Sequence, residues 1–216
     1  MVRPLKTICL ALVLIVFIPF YAFSAEKSLI FYILDGSGSM WGRVDGKIKI
    51  QVARDVMISL IKETPQGIEC GVMVYGHRKK GDCSDIEMLV PIGPLDREAA
   101  ISKINGITPK GKTPISDSIS MAVENLKGIE AASTIVLISD GIETCGKDPC
   151  GAMKTLKESG INFVMHVVGF DVEEKAAKQL ACIAQAGGTV FFHHQRHRPA
   201  GSLKSDKGKR GGENGD

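Results

Sequence analysis

Residues 29–40, Leu-Ile-Phe-Tyr-Ile-Leu-Asp-Gly-Ser-Gly-Ser-Met, constrain the chain more than any other stretch. The apolar run Leu29 to Leu34 has the length and the β-branched and aromatic content of a strand buried on both faces. It stops at Asp35, and Gly36-Ser37-Gly38-Ser39 follows. A carboxylate and two hydroxyls thus sit on one tight loop at the end of a buried strand. Glycines at 36 and 38 let the backbone turn back so that Ser37 and Ser39 can point the same way. Hard oxygen donors of this kind suit Mg²⁺, Mn²⁺ or Ca²⁺. Taken alone the loop is equally readable as a polar turn, because Asp, Gly and Ser are all turn formers. Two later segments decide between these readings.

Strand and helix signals alternate from there on. Gly46 to Glu63 carries much of a helical apolar stripe and ends at Pro65-Gln66-Gly67. Cys70 to Tyr75 reads as a strand, 76–82 as a loop, and Ile86 to Val90 as a hairpin partner stopped by Pro91 and Pro94. Asp96 is placed to cap a helix running to Ile104, with Glu98 in its first turn. Thr113 reads as the N-cap, and Pro114 as the first residue, of a helix through Leu126. Thr134 to Ser139 is a second doubly buried strand, and it too ends in Asp-Gly, at Asp140-Gly141. Strands at Asn162–Val168 and Thr189–Phe192 are separated by helices at Cys150–Glu158 and Val172–Gln185. The expected class is α/β: a Rossmann-like, doubly wound, mainly parallel sheet of about six strands, with one antiparallel edge strand and helices on both faces.

In such sheets ligands sit outside the carboxyl ends of the strands. Asp35 and Asp140 both lie at such ends. The strand at 70–75 runs up to that edge, its hairpin partner runs down, and the helix from Asp96 climbs again. Residues 106–113 are thereby delivered to the same edge. Asp35, Ser37, Ser39, Thr113 and Asp140, five oxygen-bearing side chains on three loops, are expected to converge there.

With these residues in place, the chain resembles the von Willebrand factor type A (VWA) domain. The resemblance rests on Asp35-Gly-Ser37-Gly-Ser39, on Thr113 in Gly-Lys-Thr-Pro-Ile-Ser, and on Asp140 in Ile-Ser-Asp-Gly, and covers residues 28–193. Gly-Ser-Gly-Ser-Met-Trp-Gly, Val-Tyr-Gly-His-Arg and Glu-Thr-Cys-Gly-Lys-Asp-Pro-Cys further resemble bacterial secreted members. The resemblance implies a metal-ion-dependent adhesion site. In it Ser37 and Ser39 bind the cation through their hydroxyls and Thr113 joins them in the ligand-competent arrangement. Asp35 and Asp140 act largely through bound water. Mg²⁺ is the expected ion, with Mn²⁺ or Ca²⁺ as substitutes, and the open position is left for an Asp or Glu of a protein or peptide partner. A closing helix that the family carries after its last strand has no counterpart here, so one sheet face is expected to expose an apolar patch. The tail has either diverged, or been truncated or frameshifted near residue 193.

The ends differ in character from the body. Arg3 and Lys6 precede an almost wholly apolar Ile8 to Phe23, followed by small residues, so 1–25 reads as a secretory signal peptide. Its run is short for a span and holds Pro19, which makes an uncleaved anchor the weaker reading. Residues 26–193 form the expected domain, and 194–216 a polar, disordered tail. Of the net charge of +3, the termini carry the excess: residues 26–194 hold 19 basic and 21 acidic groups. That balance gives no basis for nucleic-acid binding. Export to the periplasm or medium allows disulfides among Cys70, Cys83, Cys145, Cys150 and Cys182, an odd number. Cys83, Cys145 and Cys150 map to the ligand edge, so Cys145–Cys150, or Cys83 with one of these, is the expected bridge; Cys70 reads as buried and inert. Trp41 reads as packing over the first helix or as a rim contact. His77, Arg78, Lys79 and Lys80 read as a solvated loop or an attractor of acidic partners. His166 reads as structural, and His193, His194 and His197 as incidental.

The expected function is an extracytoplasmic, metal-dependent binding module and not an enzyme. An aspartyl phosphatase needs a second carboxylate two residues after its nucleophile, where this chain has Ser37. A serine hydrolase lacks its Gly-x-Ser-x-Gly elbow. The alternative is a scaffold subunit of a cell-envelope complex.

Overall fold

The computed structural model describes residues 27–185 and 187–193; the expected signal peptide and polar tail lie outside them. Eight strands and five α-helices alternate along the chain. The strands are β1 (Ser28–Asp35), β2 (Arg43–Val44), β3 (Lys47–Ile48), β4 (Glu69–Tyr75), β5 (Ile86–Pro94), β6 (Ala132–Ser139), β7 (Phe163–Phe170) and β8 (Val190–His193). The helices are α1 (Lys49–Glu63), α2 (Arg97–Asn105), α3 (Ile115–Leu126), α4 (Pro149–Glu158) and α5 (Glu174–Ala184). Six strands form one sheet in the order β5-β4-β1-β6-β7-β8, and only β4–β5 is antiparallel. This is the expected α/β architecture.

β1 is central because both of its faces are covered. Leu29, Phe31 and Ile33 point to one side, where they pack with Ile115, Ile119 and Val123 of α3, Met153 of α4, and Leu180 and Ile183 of α5. Tyr32 and Leu34 point to the other, against Ile50, Ala53, Met57 and Ile61 of α1 and Ala100 and Ile104 of α2. Each large apolar side chain so buried contributes about 1.5–3 kcal/mol, so a one-residue slip of β1 would be opposed from both sides at once. From β1 the chain steps to β4 on one flank and later to β6 on the other. The winding reverses between β1 and β6, which opens a crevice at their carboxyl ends.

Where β8 closes the sheet, the face opposite α5 is thinly covered. Phe191 is 60% exposed, and Val164 and Val168 on the neighbouring strand are only half-buried. Among the described residues, apolar side chains are thus partly exposed on this face.

Three local expectations are corrected. The helix expected from Gly46 begins at Lys49, because Asp45 and Gly46 both adopt positive φ (50° and 77°) and close the small β2–β3 hairpin. Strand β5 does not stop at Val90 but continues through Pro91 to Pro94. It is an edge strand with register shifts opposite Cys70–Met73, and there a residue without an N–H is tolerated. Thr113 does not cap α3; Pro114 occupies that position without a side-chain bond, and the Glu143 carboxylate accepts from Ser116 N instead (2.9 Å). Asp96, by contrast, caps α2 as expected, accepting from Ala99 N.

The bridges are Cys83–Cys145 and Cys150–Cys182, and Cys70 is free and buried. The first is one of the expected pairings and ties the β4–β5 loop to the loop after β6. A Cys145–Cys150 bridge does not form. Cys150 pairs with Cys182 instead, because the start of α4 lies against the middle and end of α5: the Cys150 thiol is also 3.9 Å from the Gln179 carbonyl.

Candidate functional site

The crevice between β1 and β6 gathers the expected residues. Asp35 ends β1 and is fully buried, with its Oδ1 accepting from Ser37 N at 2.7 Å. This turns the chain sharply into a single 3₁₀ turn, Gly38–Trp41. The turn brings the Ser37 and Ser39 hydroxyls to 2.9 Å from each other. Ser39 Oγ donates to Asp140 Oδ1 at 2.7 Å, so the Ser37 hydroxyl must be the donor in the serine pair. A directed chain, Ser37 to Ser39 to Asp140, thus joins residues about a hundred positions apart.

Thr113 arrives from the third loop. Its backbone N donates to Thr144 Oγ1 (2.8 Å), and its carbonyl accepts from Thr144 N (3.1 Å). Loop 110–113 is also laced to the first two loops: Gly38 N donates to Gly111 O, and Lys110 N and Gly111 N donate to Gly76 O. Space there is tight. Gly76 has φ +66°, and a Cβ on it would lie 2.3 Å from Lys112 O. Ser37, Ser39, Thr113, Gly141 and Thr144 line one groove of about 470 Å³. All five expected side chains therefore meet at this edge, with the three hydroxyls on residues at the groove and the two carboxylates set beside and behind them.

Three contributors escaped the sequence reading. Ser139, fully buried at the end of β6, donates to Asp35 Oδ2 at 2.6 Å and accepts from the Tyr75 hydroxyl at 3.2 Å. Glu143, already met at the start of α3, also accepts from Cys145 N and so shapes the loop after Asp140. Lys49 is the third: its ammonium lies 2.9 Å from Asp140 Oδ2 and 3.5 Å from Asp171 Oδ2, with its side chain 11% exposed. A signal for Lys49 existed, since a cation in the first turn of a helix opposes the helix dipole and needs another reason to be there.

The electrostatics follow from this packing. Burial, and then the charge of Asp140, push the Asp35 carboxyl up to about 6, against the donors Ser139 and Ser37 that pull it back. Burial and the Asp35 charge likewise raise the Tyr75 phenol. Among the described residues no group of three or more His, Cys, Asp or Glu is placed to hold a metal. Any cation here would depend on hydroxyl oxygens as much as on carboxylates.

Other singled-out residues sort themselves. Trp41 is 53% exposed and donates through Nε1 to Pro109 O (2.9 Å). His77 and Arg78 reach Glu87, Arg78 also pairs with Asp85, and Lys79 pairs with Asp82. His166 bonds Thr189 at the entry to β8. His194 and His197 lie outside the described residues.

The von Willebrand factor type A domain model matches residues 30–143, and the chain belongs to that family. It is 28% identical over 183 residues to the uncharacterized protein YwmD of Bacillus subtilis (strain 168), covering 79% of this chain and 82% of the relative. Among solved structures it shares its fold with a von Willebrand factor type A protein from Catenulispora acidiphila (TM-score 0.65, 21% identity). The match covers 79% of this chain but only 39% of that one. The pilus adhesin SpaC from Lactobacillus rhamnosus GG is similar at TM-score 0.63 and 14% identity, over 77% of this chain and 29% of the adhesin.

Proposed function

We propose that this chain is a metal-dependent binding module acting outside the cytoplasm, in which Asp35, Ser37, Ser39, Thr113 and Asp140 hold a divalent cation that engages an acidic group of a protein partner. The observation that carries this reading is the 2.9 Å separation of the Ser37 and Ser39 hydroxyls. Two oxygens each about 2.1 Å from an octahedral Mg²⁺ at right angles lie about 3.0 Å apart, so this spacing matches one edge of its coordination shell. The donors are all hard oxygens, which fits Mg²⁺, with Mn²⁺ or Ca²⁺ as substitutes.

The bound ion would supply a Lewis-acidic position for a partner carboxylate. The chain's own residues do the rest. Asp35 and Asp140 would act largely through bound water, and Asp140 is also shared with Lys49, so a dication held directly by neutral hydroxyls stays attractive to one more anion. Ser139 and the Ser37 amide hold Asp35 in one orientation, and Ser39 and Lys49 do the same for Asp140. No side chain is assigned a catalytic role. An exported location agrees with two disulfides and with a fold also found in a pilus adhesin.

Calorimetric titration of Mg²⁺ and Mn²⁺ into the chelator-treated full chain tests this. Saturable binding is expected for the parent and none for an Asp35→Ala, Ser37→Ala variant whose circular dichroism matches the parent's. A folded parent that takes up neither ion would refute the adhesion-site reading and leave a scaffold role.

A further inference from the structure

The charges around the groove are not equivalent. In the loop after β4, His77, Arg78 and Lys79 are engaged by Glu87, Asp85 and Asp82, and among the described residues Lys80 is left without an ion pair. Across the groove Lys110 and Lys112 are likewise exposed and unpaired among the described residues. All three line the same groove as Ser37, Ser39 and Thr113. Their placement is rigid. Lys110 N donates to both Gly36 O and Gly76 O, and a Cβ on Gly111 would meet Lys79 O at 2.4 Å, so the two lysine-bearing loops are in backbone contact. Among the described residues no acidic side chain lines this groove. The concentration of positive charge is local, because the body of the chain carries more acidic than basic groups.

Three unpaired ammonium groups held around one groove, on a body of opposite balance, form a recognition surface for a multiply charged anion. Resting on the metal-site reading above, we infer that Lys80, Lys110 and Lys112 select a partner segment with several acidic residues: one carboxylate goes to the cation and its neighbours go to the lysines. A single Asp or Glu would satisfy the cation and leave the lysines unused. An acidic peptide is favoured over a sulfated polysaccharide because Ile142 in the groove wall and the exposed Trp41 beside Pro109 offer apolar contact to a side chain.

The test compares two fluorescein-labelled peptides in Mg²⁺ by anisotropy, one with a single Glu in a Gly/Ser frame and one with four consecutive Glu. The parent should bind the four-Glu peptide at least tenfold more tightly. A Lys80→Gln, Lys110→Gln, Lys112→Gln variant should lose that preference by about tenfold, as three exposed ion pairs would allow. Raising NaCl from 50 to 300 mM should shrink the parent's preference and leave the variant's unchanged. Mg²⁺ titration of the same variant is the control: uptake equal to the parent's shows the metal site intact. Equal binding of the two peptides, no binding of either, or a preference that survives in the variant would overturn the inference while leaving the metal site standing. Heparin displacing the four-Glu peptide at lower charge concentration than poly-Glu would assign the lysines to a polysaccharide and overturn it as well. A parent that binds no Mg²⁺ is a different result, and refutes the underlying metal-site reading.

Discussion

Replacing Lys49 by Met removes the only ammonium among the described residues in contact with Asp140 while keeping most of the aliphatic stem. The pair is 2.9 Å long, with side chains 11% and 1% exposed, so neither charge has free access to water. Breaking a buried pair from one side costs about 3–5 kcal/mol because the other charge is stranded. Lys49 keeps some solvent contact and Asp140 keeps its bond from Ser39, which places the cost at the low end, about 3 kcal/mol. For a domain of this size that corresponds to a fall in Tm of about 6–12 °C. The assay is thermal unfolding of parent and Lys49→Met in chelator and again in 10 mM Mg²⁺. If the cation sits beside Asp140 it restores positive charge there, and the gap between the two proteins should narrow to less than half. An equal gap in both conditions would refute the shared location of cation and ammonium. No gap in chelator would refute the energetic weight given to the pair.

Two further outcomes follow from the same contacts. Asp35 has a folded-state value raised to about 6, so the folded form holds its proton more tightly than the unfolded chain does. Its contribution to stability is therefore present below pH 4 and lost as pH rises through about 6, by about 3 kcal/mol at most. Urea unfolding in chelator should show the parent losing stability relative to Asp35→Asn between pH 4 and 6.5; a parent that gains over this window would contradict the assignment. Cys83–Cys145 closes a loop of sequence separation 62, and removing it as a double Cys→Ser variant should cost about 4 kcal/mol on chain-entropy grounds. Denaturant midpoints under non-oxidising conditions report the loss, and a variant within 1 kcal/mol of the parent would rule the bridge out as a brace of the site loops.

Much of the fold was legible because its signals are local. The apolar runs ending at Asp35 and at Ser139 announced buried strands, Asp96 announced its helix, and alternation of the two element types announced a parallel sheet. Strand direction alone then brought Asp35, Ser37, Ser39, Thr113 and Asp140 to one edge. What local signals could not carry were partners chosen by packing. Thr113 had the chemistry of a cap, yet Glu143 from another loop took that role. Pro91 had the chemistry of a terminator, yet an edge position made it harmless. Cys150 and Cys182 met because α4 and α5 are offset along their axes, which no spacing within either helix encodes. Ser139, Lys49 and the division of basic side chains into paired and unpaired depend on contacts spanning from three to more than a hundred residues. The sequence by itself determined the class of fold and the oxygen donors, because periodicity and punctuation act over a few residues. Tertiary structure alone decided how those donors are oriented and which charges remain free, because buried polar groups must take whatever partner the packed chain places within reach.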